Sequence, residues 1–200
     1  VLVVIVYVAT VQQVVGPSME PTLKEGDILI LNKLGYRFFD IQRFDIVAVK
    51  SSTSKYLVKR VIGLPGEKIE YLDNVLYIDG KGYKEKFLDD SVITENFSVV
   101  DLGYEIIPED MYLVLGDNRG NSLDSRVFGT FTKKQVLGKT DFIIYPFKQF
   151  GLVKPKENTE ETLTQEKIRD LTIKNIQIID IKAISNFFFI KSIHFQIIIY

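Results

Sequence analysis

From Asp27 to about Tyr145 the chain consists of short apolar runs broken by turn-forming residues, and no stretch carries helix-length periodicity. Such a pattern restricts the body to a mainly β fold, an antiparallel sheet that turns back on itself repeatedly and is barrel-like. Candidate strands are Asp27 to Asn32, Asp45 to Lys50, Tyr56 to Gly63, Glu67 to Leu72, Val75 to Ile78, Met111 to Gly116 and Gly138 to Tyr145. The breaks have a chemical reason. Leu64-Pro65-Gly66-Glu67 is a turn by composition, and Asp79-Gly80-Lys81 supplies residue types that tolerate positive φ at the end of a hairpin strand.

Three regions flank or interrupt this body. The uncharged run from Val1 to Ala9, continuing to Gln12-Gln13, is about half the roughly 20 residues that a spanning helix requires. Residues 1–13 are therefore expected to be the outer part of a truncated transmembrane helix, attached to a catalytic domain at 14–153. The β-branched residues of the run would also suit a buried strand. No small-x-small site follows it, which argues against a cleavable secretory leader. Residues 72–108 are richer in charge and less regular, and read as an insertion with its own hairpin that need not touch the chemistry. Residues 154–200 change composition again. Their Ile- and Phe-rich end is interrupted by Lys182, Lys191 and His194, so they read as an extension outside the domain rather than a second span.

Composition removes several chemistries. With 25 Lys and Arg against 26 Asp and Glu, nothing favours wrapping nucleic acid, and no nucleic-acid partner is expected. Cysteine is absent, and the only histidine is His194. There is thus no thiol nucleophile, no disulfide framework and no cysteine-ligated zinc, and the body cannot build a Ser-His-Asp triad. A hydrolase on this chain needs another base; neither a metal nor an organic cofactor is expected.

Three segments carry candidate chemistry. In Gly16-Pro17-Ser18-Met19-Glu20-Pro21-Thr22-Leu23 the glycine and prolines hold Ser18 in a turn, leaving its hydroxyl and backbone N–H outside any ladder. In Lys55 to Glu67, strand alternation puts Leu57, Lys59 and Val61 on one face and Val58, Arg60 and Ile62 on the other. A lysine between apolar neighbours suits a general base, because desolvation disfavours the ammonium and lowers a pKa that starts near about 10.4. The third segment, Leu115 to Gly129, is dense in hydrogen-bonding groups. Asp124 and Arg126 are spaced for an ion pair across a tight turn, and Ser122 could bond a neighbouring amine. Neither a phosphate-binding nor an EF-hand pattern is met.

Ser18-Met19-x-Pro21-Thr22-Leu23, then Lys59-Arg60-Val61-x-Gly63-Leu64-Pro65-Gly66, then Gly116-Asp117-Asn118-Arg119-x-Asn121-Ser122-x-Asp124-Ser125-Arg126 resemble, in this order, the motif boxes of bacterial type I signal peptidases. The likeness spans roughly Val14 to Gly151 and includes Arg43-Phe44-Asp45-Ile46-Val47 and Tyr145-Pro146-Phe147. It implies a serine endopeptidase that removes signal peptides from exported preproteins, with Ser18 as nucleophile and Lys59 as general base. It further implies that Ser122 orients the Lys59 amine, that Asp124 with Arg126 stiffens the loop, and that Asp117 pairs with Arg60. Shallow pockets for small substrate residues would be lined by Met19, Leu23, Leu57 and Val58. The implied partners are preprotein signal peptides and the lipid membrane. The implied location is the bacterial cell membrane, single-pass, with the catalytic domain on the extracytoplasmic side.

Two positions depart from the family pattern. Gly16 stands where some members carry a hydroxyl residue that assists the oxyanion, as in the Gram-positive subtype, which leaves mainly the Ser18 N–H for that task. Phe44 replaces a common glycine. The competing readings are a related self-cleaving Ser/Lys peptidase, whose DNA-binding helix-turn-helix has no counterpart in residues 1–17, and a membrane-anchored, non-catalytic β-domain that binds extracytoplasmic partners.

Overall fold

The computed structural model describes residues 9–33, 40–53 and 55–153. All its strand pairings are antiparallel. The larger sheet contains β1 (Ala9–Gln13), β2 (Ile28–Asn32), β3 (Ile46–Lys50), β4 (Tyr56–Gly63), β9 (Met111–Leu115), β10 (Phe131–Thr132), β11 (Val136–Tyr145) and β12 (Gly151–Leu152). Its spatial order is β1-β2-β11-β3-β4-β9-β10, with β12 also on β11. The smaller sheet runs β7-β6-β5-β8, from β5 (Ile69–Leu72), β6 (Val75–Ile78), β7 (Lys81–Tyr83) and β8 (Phe97–Ser98). A short helix α1 (Ser125–Phe128) follows β9.

Strand β11 organises the larger sheet. Its first residues pair with β3, as in Val136 with Val49, and its later ones with β2, as in Tyr145 with Ile28. Irregular register along it lets a ten-residue strand serve both neighbours. Hairpins in the smaller sheet turn on Asp73-Asn74 and Asp79-Gly80, where both central residues have positive φ, as two-residue hairpins of right-twisted strands require.

Alternation sorts the apolar side chains into two cores. On β9, Tyr112 and Val114 join a cluster with Val14, Met19, Leu57, Val58 and Val61, whereas Leu113 and Leu115 join Ile62, Ile69, Tyr71 and Ile107 against the smaller sheet. Each fully buried aliphatic side chain contributes roughly 1.5–3 kcal/mol. Because both faces of β4 are covered, every residue from Leu57 to Gly63 is buried, including Lys59 and Arg60.

The expected strands form with small shifts at their ends. The N-terminal expectation needs correction: residues 9–13 are strand β1, paired with β2 from Ala9 opposite Asn32 to Gln13 opposite Ile28, and not the end of a helix. The open edge of β2 offers this segment a ladder that its β-branched Thr10 and Val11 fit. Residues 1–8, the rest of the expected anchor, and residues 154–200 lie outside the described residues. Among those described, no helix is long and apolar enough to cross a membrane.

Candidate active site

Ser18 sits where the chain leaves β1 and loops back into β2. The base of the loop is pinned by Val14 N–H to the Asp27 carbonyl at 2.8 Å and Gly26 N–H to the Val14 carbonyl at 2.9 Å. Inside it, Glu20 N–H reaches the Pro17 carbonyl at 3.0 Å and Leu23 N–H the Met19 carbonyl at 2.9 Å. Met19 and Leu23 plug the loop into the core, which orients the residue between Pro17 and Met19. The Ser18 carbonyl accepts the Asn118 N–H at 3.0 Å, while the Asn118 side-chain amide reaches the Pro17 carbonyl at 3.2 Å. Among the described residues, the Ser18 N–H donates to no other group.

Lys59 lies opposite Val47 of β3 in the centre of the sheet and is wholly buried. Its Nζ donates to Ser18 Oγ at 2.7 Å and to the Val58 carbonyl at 2.9 Å. Burial pulls its pKa down to about 8; the negative charges of Asp124 and Asp117 pull the other way, and Arg126 adds a small further lowering. Desolvation therefore wins over two carboxylates, and a large share of the amine is neutral at mildly alkaline pH.

Around this pair the polar groups are mostly satisfied. Asp117 accepts from Arg60 Nε at 2.9 Å and Nη2 at 2.6 Å, and from Thr22 Oγ1 at 2.5 Å. Asp124 caps α1 and accepts from the Gly116 N–H at 2.9 Å and from Arg126 Nε and Nη2 at 2.9 and 2.8 Å. Burial pushes the Asp124 carboxyl upward, but Arg126 and the Gly116 N–H more than offset it and hold it below the ordinary carboxylate range. Ser125 Oγ accepts the Val114 N–H at 2.9 Å, tying the start of α1 to β9.

Of the residues expected at the site, Ser18 and Lys59 are brought into contact, and Asp117 with Arg60 and Asp124 with Arg126 form the expected ion pairs. Ser122 does not bond the Lys59 amine. Its buried Oγ makes no hydrogen bond among the described residues, although it lies near enough to Asp124 to help hold that carboxyl down. Besides Ser18 Oγ, the Lys59 amine bonds the carbonyl of its strand neighbour Val58. Met19, Leu23, Leu57 and Val58, expected to line pockets, are packed in the core and are at most 2% exposed.

Sequence reasoning gave no role to three further contributors. Gly116 is one, because a Cβ there would meet Ser122 Oγ at 2.2 Å and the Ser18 carbonyl oxygen at 2.5 Å. Arg119 is another; its buried guanidinium bonds Tyr71, Glu85 and Thr94 and so joins the insertion to the segment 115–129. Phe44 is the third; its backbone has φ 67° and its carbonyl accepts Arg60 Nη1 at 3.0 Å. All three stand in the motif segments quoted above, which is the signal that could have found them.

Residues 1–145 match the family model described as signal peptidase, peptidase S26. The chain is 44% identical over 145 residues to a signal peptidase I of Bacillus caldolyticus, covering 68% of this chain and 79% of that protein. It is 37% identical over 166 residues to a signal peptidase IB of Staphylococcus aureus, covering 77% of this chain and 87% of that protein. A crystal structure of a signal peptidase I from Enterococcus faecalis aligns at 38% identity with a TM-score of 0.47, covering 50% of this chain and 97% of that one.

Proposed function

The chain belongs to the signal peptidases of the peptidase S26 family and is a serine endopeptidase that cleaves signal peptides, and from that premise we propose that Ser18 is its nucleophile and Lys59 its general base. The carrying observation is the 2.7 Å contact between Ser18 Oγ and a buried Lys59 Nζ whose pKa is drawn down to about 8. With the amine neutral, the Ser18 hydroxyl donates across that contact and its proton moves to Nζ as Oγ attacks the scissile carbonyl. The ammonium returns the proton to the leaving amine, and an ester between Ser18 and the signal peptide remains. A water molecule, deprotonated by the same amine, then hydrolyses the ester.

Support for oxyanion stabilisation comes from the Ser18 N–H, which has no acceptor among the described residues and belongs to the attacking residue itself. We assign Ser122, Asp124, Arg126, Asp117 and Arg60 to the rigidity of the loop and strand that hold the pair. Met19, Leu23, Leu57 and Val58 pack in the core around the pair and exclude water from the amine. A substrate whose signal peptide is apolar places the reaction at a membrane, so the enzyme is assigned to the bacterial cell membrane with its catalytic domain on the extracytoplasmic side. A single anchor belongs to the same reading, with the uncharged run of residues 1–8 as its last part.

The test incubates the full chain, in detergent, with a preprotein whose signal peptide ends in Ala-x-Ala, and sequences the new N-terminus. A cut directly after that motif, abolished in Ser18→Ala and in Lys59→Ala, is expected. Uncut preprotein, a cut elsewhere, or turnover that survives Lys59→Ala would overturn the reading.

A further inference from the structure

Two residues apart in the inserted region, Glu85 and Phe87 each hold an arginine of the catalytic neighbourhood. The Glu85 carboxylate takes Arg119 Nη2 at 2.7 Å and Nη1 at 3.0 Å, and the Phe87 ring lies 4.0 Å from the guanidinium carbon of Arg60. We propose that the segment Glu85–Phe87 is a positioning strap for the Ser18–Lys59 pair, which makes the insertion a working part of the active site. The proposal rests on the dyad reading above.

Each arginine is the sequence neighbour of a residue that forms or fixes the pair. Arg60 follows Lys59 on β4, and its hydrogen bonds run to Asp117, to the Phe44 carbonyl and, at 3.4 Å, to Thr22 Oγ1 in the Ser18 loop. Arg119 follows Asn118, whose N–H holds the Ser18 carbonyl at 3.0 Å. Arg119 Nε also donates to the Gly116 carbonyl at 3.0 Å, and Gly116 is the residue packed directly against Ser18. The remaining Arg119 partners, Tyr71 at 3.1 Å and Thr94 at 2.8 Å, belong to the smaller sheet and its loops. A guanidinium with five donors in a fixed plane transmits position well when all its acceptors are rigid. Phe87 is itself braced by Phe44, with ring centroids 5.1 Å apart. The strap thus fixes the serine side through Arg119 and the lysine side through Arg60, although neither Glu85 nor Phe87 makes a hydrogen bond to Ser18 or Lys59.

The experiment measures kcat and KM of the full chain on the preprotein for Glu85→Gln, Phe87→Leu and Phe87→Tyr, each first shown by urea unfolding to be folded under assay conditions. Glu85→Gln keeps the shape and removes the charge; Phe87→Leu keeps the apolar bulk and removes the aromatic face. We expect kcat to fall about tenfold or more in both, as misplacement of reacting groups by a fraction of an ångström does. KM should change by less than about threefold, and Phe87→Tyr should restore kcat. Unchanged kcat in folded Glu85→Gln or Phe87→Leu, a loss confined to KM, or no rescue by Tyr would overturn the strap. If Glu85→Gln does not fold, the Phe87 pair decides alone. Failure of the dyad reading looks different, since Ser18→Ala would then still cut.

Discussion

Gly116 lies so close against Ser18 that a Cβ on it would come within 2.5 Å of the Ser18 carbonyl oxygen and 2.2 Å of Ser122 Oγ. The Ser18 oxygen is backbone and Ser122 Cβ lies at 2.5 Å as well, so turning the Ser122 hydroxyl away cannot relieve the clash. The Gly116 N–H is also committed to Asp124 and its carbonyl to Arg119. Gly116→Ala should therefore move Ser18 relative to Lys59, lowering kcat by roughly 100-fold. The overpacking cost to stability should be only about 1–3 kcal/mol. Steady-state kinetics beside a urea melt would check this; wild-type kcat in a folded variant would refute it.

Lys59 predicts opposite effects on stability and activity. Its folded pKa, about 8, lies below its ordinary 10.5, so folding opposes the charged amine. Below pH 8 both the folded and unfolded amines are protonated, and the desolvation cost is present in full. Between about 8 and 10.5 the unfolded chain binds more protons, so the contribution of this group makes stability rise with pH. Lys59→Met should abolish turnover yet stabilise the fold at pH 7 by up to about 3 kcal/mol, a gain that shrinks to nothing by about pH 11. Urea unfolding of both proteins at the two pH values measures it, and a variant less stable at pH 7 would contradict the burial argument.

The acid limb of the pH profile should report the same amine. In the free enzyme kcat/KM should rise through about pH 8 and level off. Asp124 raises the Lys59 pKa and Arg126 lowers it. Asp124→Asn should move the acid limb to lower pH even as it weakens the enzyme, and Arg126→Met should move it to higher pH. Shifts of the same sign in both variants would show that the limb belongs to another group.

Acid unfolding has its own signature at Asp124. The ion pair with Arg126 and the bond from Gly116 hold this buried carboxyl below the ordinary range, so the stability it contributes is complete above that range and is lost as pH falls through its lowered folded value. In Asp124→Asn the slope of stability against pH in that acid window should flatten. Unfolding free energies from urea titrations across the window would test it, and an unchanged slope would assign the acid sensitivity elsewhere.

Much of the site was readable in the chain because it depends on local rules. Alternation along Leu57-Val58-Lys59-Arg60-Val61 separates the lysine from the arginine, and apolar neighbours announce that the amine is dry. The Ser18 turn follows from Gly16, Pro17 and Pro21. What could not be read depends on topology. Nothing local says that β11 inserts between β2 and β3, or that Thr10 and Val11 find an open strand edge to pair with. The aim of the Ser122 hydroxyl, the burial of Met19 and Leu23, and the reach of Glu85 to Arg119 across 34 residues are likewise set by how the two sheets pack.

Phe44 offers a test of backbone cost against packing gain. At φ 67° its main chain sits in the left-handed region, which a residue with a Cβ enters at a cost on the order of 1 kcal/mol. The ring offsets this by packing against Phe87, which in turn covers Arg60, while the Phe44 carbonyl accepts from the same guanidinium. Phe44→Ala loses the ring and keeps the backbone cost; Phe44→Gly loses the ring and relieves it. Glycine ordinarily destabilises an ordered chain by about 0.5–1 kcal/mol relative to alanine, through the extra freedom of the unfolded state. Here the order should reverse, with Phe44→Gly the more stable of the two by about 1 kcal/mol in urea unfolding and both less stable than the parent. An alanine variant as stable as the glycine variant would mean that the left-handed backbone costs this chain nothing.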